Sequence, residues 1–200
     1  MPPIDFAKSL KDLYRATRNV QEVVADRGVF LAVEGQGPPG GEAFQAAIQA
    51  LFPVVYTIKF TLKRAGTVDF KVGALECLYL SCPDETPMHQ WRWRLLLRIP
   101  EQVTSAALAQ TKRALREKKG LDATAVTRLR WKEGRAIQVL HVGPYDAVSQ
   151  TYAALHAYAA EHGLAACGPA HEIYLSDPRR TAPEKLKTIV RLPVKRGRTI

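Results

Sequence analysis

IQVLHVGPYD (137–146), AVSQTYAALHAYAAEHGL (147–164) and AHEIYLSDPRRTAPEKLKTIVRLPVK (170–195) decide the fold. The first segment reads as a strand that breaks at Gly143-Pro144. The second sets Val148, Tyr152, Leu155 and Ala159 on one helical stripe, and Gly163 suits its end. The third holds a short strand at Glu172–Leu175, a loop, and a closing strand at Leu186–Val194. A weaker copy of this plan lies upstream: FLAVEGQGPP (30–39), a helix, then QWRWRLLLRIP (90–100). LLLRIP (95–100) and TIVRLP (188–193) put an arginine between apolar residues, ahead of a proline, at equivalent places. Such a duplication predicts an α+β fold of two β-α-β-β halves. The expected form is an antiparallel sheet with helices on one face and a pseudo-twofold groove. A helical lead-in (1–28) should precede a domain at 29–200, with halves at about 29–120 and 121–200.

Working outward, residues 5–18 have helical spacing through Phe6, Leu10, Leu13 and Tyr14. Val29–Glu34 reads as a strand, and Glu42–Tyr56 as a helix that Pro53 should end or kink, although Ile58 and Leu62 keep its phase. Asp69–Val72, Leu75–Ser81 and Trp91–Ile99 read as strands, with a loop at 82–89. Thr104 can cap a helix that Gly120 closes. Thr127–Trp131 and Ala136–Val142 read as a hairpin turned at Glu133-Gly134. Tyr56, Tyr152 and Tyr158 read as helix-packing residues.

The 200 residues carry 29 Lys and Arg against 19 Asp and Glu, a net charge of +10. The positives are scattered. The cluster Lys112, Arg113, Arg116, Lys118 and Lys119 lies near a helix end, where cations complement the dipole. With no zinc-finger, basic-zipper or RNA-stacking signature, direct nucleic-acid binding is not expected. Apolar runs fall short of the roughly 20 residues a membrane helix needs, and the N-terminus does not resemble a secretory signal. The expected compartment is the cytoplasm, without a membrane partner. Cys77, Cys82 and Cys167 form neither a disulfide framework nor a metal knuckle, so no metal and no cofactor is expected.

Glu172 is the leading candidate for chemistry. Strand alternation sets it with Tyr174 on one face and Ile173 with Leu175 on the other. With Ile173 and Leu175 under the helices, Glu172 faces the opposite side. A carboxylate among aromatic rings loses hydration, which suits it to general acid or base work or to a cationic ligand. Tyr145, after the Gly-Pro turn, can donate a hydrogen bond. Trp91 and Trp93 can wall an aromatic ligand. Tyr79, Glu76 and His141 complete the candidate ligand-binding set. No Gly-x-Ser-x-Gly elbow or phosphate-cradling loop occurs.

HVGPYD, HEIYLSDPRRTAPEKLKTIVRLPV, WRWRLLLRIP and the early LKDLYR together resemble the GyrI-like small-molecule-binding family, most closely its stand-alone branch. The resemblance implies a duplicated β-α-β-β fold with a ligand groove between halves. Relatives sense drugs within transcription activators, inhibit gyrase, or hydrolyse the cyclopropane of DNA-alkylating antibiotics. Glu172 matches the family's groove glutamate, and Trp93 and Tyr145 match aromatic positions. The chain departs at Leu75-Glu76-Cys77-Leu78-Tyr79-Leu80, where the branch often has a Leu-Glu-Gly-Leu-Trp-Trp segment. The lead-in before Val29 is too short for a winged helix or helix-turn-helix pair, so a transcription activator of the usual architecture is not expected. The expected function is binding of a hydrophobic or aromatic small molecule, with hydrolysis of a strained electrophile as its enzymatic form and Glu172 and Tyr145 as catalytic residues. The alternative is a drug-sequestering protein or a non-catalytic, gyrase-inhibitor-like module with a protein partner.

Overall fold

A computed structural model describes residues 2–81 and 86–197, so the expectations for Cys82 and for the first half of the 82–89 loop lie outside the described residues. The chain begins with two helical turns, α1 (Phe6–Ser9) and α2 (Lys11–Tyr14), then strands β1 (Gln21–Ala25) and β2 (Gly28–Gln36). Helix α3 (Glu42–Arg64), strands β3 (Leu75–Tyr79) and β4 (Arg92–Ile99), and helix α4 (Ser105–Lys119) follow. Strands β5 (Thr127–Trp131) and β6 (Gly134–Val142) lead to helix α5 (Val148–Glu161). Strands β7 (Leu164–Ala166), β8 (Ala170–Tyr174) and β9 (Lys187–Arg196) close the chain. The fold is α+β with antiparallel strand pairing, and the order β2-α3-β3-β4 is repeated as β6-α5-β8-β9.

The chain divides into two compact units. Unit 1 comprises Met1–Ser9, Gly28–Gly73 and Tyr79–Trp131; unit 2 comprises Leu10–Arg27, Ala74–Leu78 and Lys132–Ile200.

In unit 1, β2 pairs antiparallel with β4 on one side and β5 on the other. Helix α3 packs on β2 and β4 and also touches α4. Its buried stripe (Phe44, Ala47, Leu51, Val54, Val55 and Ile58) runs through Pro53 without a break. The proline removes one backbone bond, but the residue whose carbonyl loses its donor, Gln49, is exposed to solvent. Apolar burial on both sides of the proline outweighs that local loss. The 23-residue helix is apolar enough by length and composition alone to span a bilayer, contrary to the sequence expectation, yet Leu51, Val54 and Val55 are fully buried as core. Helix α4 has the expected caps: the Thr104 side chain accepts from the Ala107 amide, and Gly120 is left-handed at φ 63°.

In unit 2, the strand order is β1-β6-β9-β8-β3, with β7 added to β9. Across β6, β9 and β8 the register aligns Gln138, Arg191 and His171 in one row. The next row is Val139, Val190 and Glu172, and beyond it lies His141, Thr188 and Tyr174. Alternate residues face opposite sides. Helix α5 covers the side of Val139 and Val190, packing Leu155 and Ala159 into a cluster with Ile137, Leu192 and Val194. The α2 turn covers the other side, at Gln138 and Arg191.

Four sequence expectations are corrected. The hairpin of β5 with β6 does not form, because β5 pairs with β2 while β6 lies between β1 and β9. Asp69–Val72 is not a strand; only Phe70 bridges, to Ile4. The lead-in is two short turns and the strand β1, which was not anticipated, since its outward residues Glu22 and Val24 blur the alternation. Glu172 lies on the helix side of its sheet, not the opposite side: Tyr152 of α5 donates to it.

Candidate functional site

Glu172 is 4% exposed, and its Oε1 accepts the Tyr152 hydroxyl at 3.0 Å. Tyr152 is on the core stripe of α5, one turn after Val148. Packing alone does not describe its role: a tyrosine on a core-facing stripe brings a hydroxyl that needs a buried partner, which is the signal the sequence offers.

Two residues beyond Glu172, Tyr174 meets Tyr145 edge-on, with ring centroids 5.6 Å apart and planes at 78°. Tyr145 begins a short 3₁₀ turn, Tyr145–Ala147, and is 39% exposed. Burial raises its pKa first, and the negative charges of Glu172 and Asp177 raise it further. At neutral pH the phenol therefore keeps its proton and can act as a donor. A buried carboxylate, a half-open phenol and two further tyrosines thus gather in unit 2.

His141 supports this arrangement from behind. Its Nε2 lies 3.1 Å from the Pro144 carbonyl and its Nδ1 2.7 Å from the Thr151 hydroxyl. A carbonyl only accepts, so Nε2 carries the proton, and Nδ1 accepts from Thr151 when the ring is neutral. Both ring nitrogens are engaged by the turn and by α5. His141 therefore braces the Gly143-Pro144-Tyr145 turn.

Among described residues, the Thr188 hydroxyl is a buried side-chain oxygen with no hydrogen-bond partner. Thr188 sits in the row of His141 and Tyr174. An unsatisfied buried hydroxyl carries a desolvation cost of about 1–3 kcal/mol. Thr188→Val keeps the shape and removes the hydroxyl, so it should stabilise the protein by about 1 kcal/mol. Thermal melts check this; a lower melting temperature would show that the hydroxyl has a structural partner.

Glu76 is also corrected. It is 1% exposed, accepts the Tyr14 hydroxyl at 2.7 Å, and lies 3.0 Å from His171 Nε2. It belongs to an ionic cluster under α2, on the face of β8 opposite Glu172. There, His171 Nδ1 is 3.1 Å from Glu133 Oε1, and Arg191 donates to Glu133 Oε2 at 2.7 Å. Arg191 also donates to Gln138 at 2.9 Å and to the Leu13 carbonyl. Gln138 in turn donates to the Asp12 and Arg15 carbonyls. Burial opposes ionisation of Glu133, but His171 and Arg191 outweigh it and hold its carboxyl at about 2.

The remaining candidates lie in unit 1. Trp93 is 1% exposed, donates from its indole to the Gly37 carbonyl at 3.1 Å, and meets the Phe44 ring at 4.9 Å. Its ring faces α3 and forms core, which corrects its assignment as an open ligand wall. Tyr79 is 7% exposed and meets Trp91 edge-on at 5.9 Å, and Trp91 donates to the Thr86 carbonyl at 2.7 Å. Tyr56, read as a packing residue, is 44% exposed and stacks between Phe52 and Phe60 along α3. No cluster of three or more metal-ligating side chains occurs among the described residues.

The model of the GyrI-like small molecule binding domain matches residues 29–195, and the chain belongs to that family. A crystal structure described as a hydrolase from Listeria innocua is 38% identical, with TM-score 0.87 over 96% of this chain and 100% of that one. An uncharacterized conserved protein from Listeria innocua is also 38% identical, with TM-score 0.90 over the same shares. The EcmrR C-terminal domain shares the fold alone, at 13% identity and TM-score 0.56 over 89% of this chain and 96% of that one. No curated protein matches the chain significantly.

Proposed function

We propose that this GyrI-like domain binds an aromatic small molecule bearing positive charge at the Glu172 site. The observation that carries this reading is a carboxylate only 4% exposed, held by Tyr152 and within electrostatic reach of Tyr145. Negative charge in a poorly hydrated aromatic setting attracts a weakly hydrated cation, and tyrosine faces add cation–π attraction. Rhodamine 6G is a suitable probe, read by fluorescence anisotropy. Glu172→Gln removes the charge and keeps the shape, and should weaken binding roughly 10- to 100-fold. Unchanged affinity would remove Glu172 from the site.

A second reading is hydrolysis of a strained electrophile, favoured by the likeness to the Listeria innocua hydrolase. Glu172 would take a proton from water as the water oxygen attacks the strained carbon. The ring bond breaks, its electron pair moves to a conjugated oxygen, and the Tyr145 phenol hydrogen-bonds that oxygen. Under this reading Glu172→Gln abolishes turnover of a cyclopropanoid alkylator while retaining affinity for it. Equal turnover by the variant would sink it.

A further inference from the structure

His171 precedes Glu172 on β8 and points to the other face of the sheet, into the cluster beneath α2. Its two ring nitrogens lie 3.0 and 3.1 Å from carboxylate oxygens of different residues, Glu76 and Glu133. Carboxylate oxygens only accept, and a neutral imidazole has a single N–H. Both bonds together require the protonated ring.

The other groups facing it agree. Glu76 comes from β3, Glu133 from the residue before β6, Arg191 from β9, Gln138 from β6 and Tyr14 from α2. Arg191 and protonated His171 supply two positive charges, and Glu76 and Glu133 two negative ones, so the cluster sums to zero. The side chains of His171, Glu76, Glu133 and Arg191 are at most 3% exposed, so neither solvent nor a ligand reaches them. A neutral His171 would leave two buried carboxylates facing one guanidinium.

We propose that His171, as an imidazolium, is a positioning residue for Glu172: it ties β8 to β3, to β9 through Glu133 and Arg191, and to the α2 turn. The role depends on this strand being short. Strand β8 pairs with β9 over only His171–Tyr174, and Glu172 follows directly on the anchored residue. Without the anchor, the strand that carries the carboxylate is held by its backbone pairing with β9 and β3 alone. The inference rests on the reading of Glu172 as the ligand group.

Burial works against the charge on His171, but Glu133 and then Glu76 outweigh it and raise its pKa. The clasp is therefore intact below the ordinary histidine value and is lost as pH climbs through the elevated one. The test uses the full chain as wild type, His171→Gln, Glu76→Gln and the double variant. Each is followed by urea denaturation and rhodamine 6G binding from neutral to alkaline pH. In the wild type, stability and affinity should fall together on the alkaline side, the dissociation constant rising about tenfold. His171→Gln should show that loss already at neutral pH. Adding Glu76→Gln removes the unmatched charge, so the double variant should recover affinity to within about threefold and lose the alkaline limb.

A packing role for His171 would not be rescued by changing Glu76. Failure of the rescue, or an alkaline limb that persists in the double variant, overturns the charged clasp. Falling stability with unchanged affinity overturns the positioning role. A wild type that clasps as described but binds no probe sinks the proposed function, and the positioning role with it, while the stability rescue still identifies the imidazolium.

Discussion

Arg191→Met should destabilise the protein by about 3–5 kcal/mol at neutral pH, since it strands a buried carboxylate. Arg191 donates to Glu133, to Gln138 and to the Leu13 carbonyl, and is 2% exposed. Methionine fills much of the volume but leaves those three acceptors short of a donor where water cannot replace it. Urea denaturation at neutral pH measures the loss, and a change under about 1 kcal/mol would refute the account. The acid side provides a second measure. Glu133 has a folded pKa of about 2 against an ordinary 4.5, so its contribution is complete above the ordinary value and is lost as pH falls towards about 2. In Arg191→Met one of the two cations that hold the pKa down is gone, so the acid limb of the stability curve should move to higher pH. The double variant Arg191→Met, Glu133→Gln should recover part of the loss, because the stranded charge is then gone.

Gly35→Ala should cost about 1–3 kcal/mol or more, through overpacking. Gly35 faces Trp93 across β2 and β4. A Cβ there would lie 2.5 Å from Cζ2 and 2.7 Å from Cζ3 of the indole, with Cη2 nearer still. The backbone is not the reason, since Gly35 is not among the glycines with positive φ. The ring has no easy retreat: Phe44 meets it edge-on, and its N–H is bound to the Gly37 carbonyl. A double-mutant cycle with Trp93→Leu isolates the clash. The glycine substitution should be nearly silent in the leucine background, and an undiminished penalty there would assign the effect to something other than the indole.

The sequence carried the duplication because a repeated plan shows in local pattern. LLLRIP and TIVRLP proved telling: their arginines, Arg98 and Arg191, are each engaged within their own unit. Arg98 lies 5.4 and 5.3 Å from the Phe6 and Phe30 ring centroids, while Arg191 is held by carboxylate and carbonyls. The caps of α4 were legible for the same reason, since Thr104 and Gly120 act within one turn. Strand partners were not legible. Glu133-Gly134 has the chemistry of a hairpin turn, but turn chemistry cannot say which strand a segment will pair with. The Glu133 carboxylate answers instead to His171, 38 positions away. Glu172 stood out through its alternation, but which side α5 would cover depended on packing that no local pattern carries. Tyr152 was missed because a stripe of apolar spacing does not announce a hydroxyl bond across to a strand. Glu76 was misassigned because a strand glutamate beside aromatic residues reads alike whether it meets a ligand or a buried histidine.

The bond from Arg191 to the Leu13 carbonyl spans 178 positions. Segments that meet across most of a chain's length incur a loop-closure cost before any contact rewards them, which slows folding. A nascent chain that has not yet released β9 has no guanidinium for Leu13, Gln138 or Glu133, so the buried face under α2 waits for the last strand. Unit 2 thus completes only once β9 has emerged, whereas the Gly28–Gly73 and Tyr79–Trp131 segments of unit 1 all precede that strand along the chain.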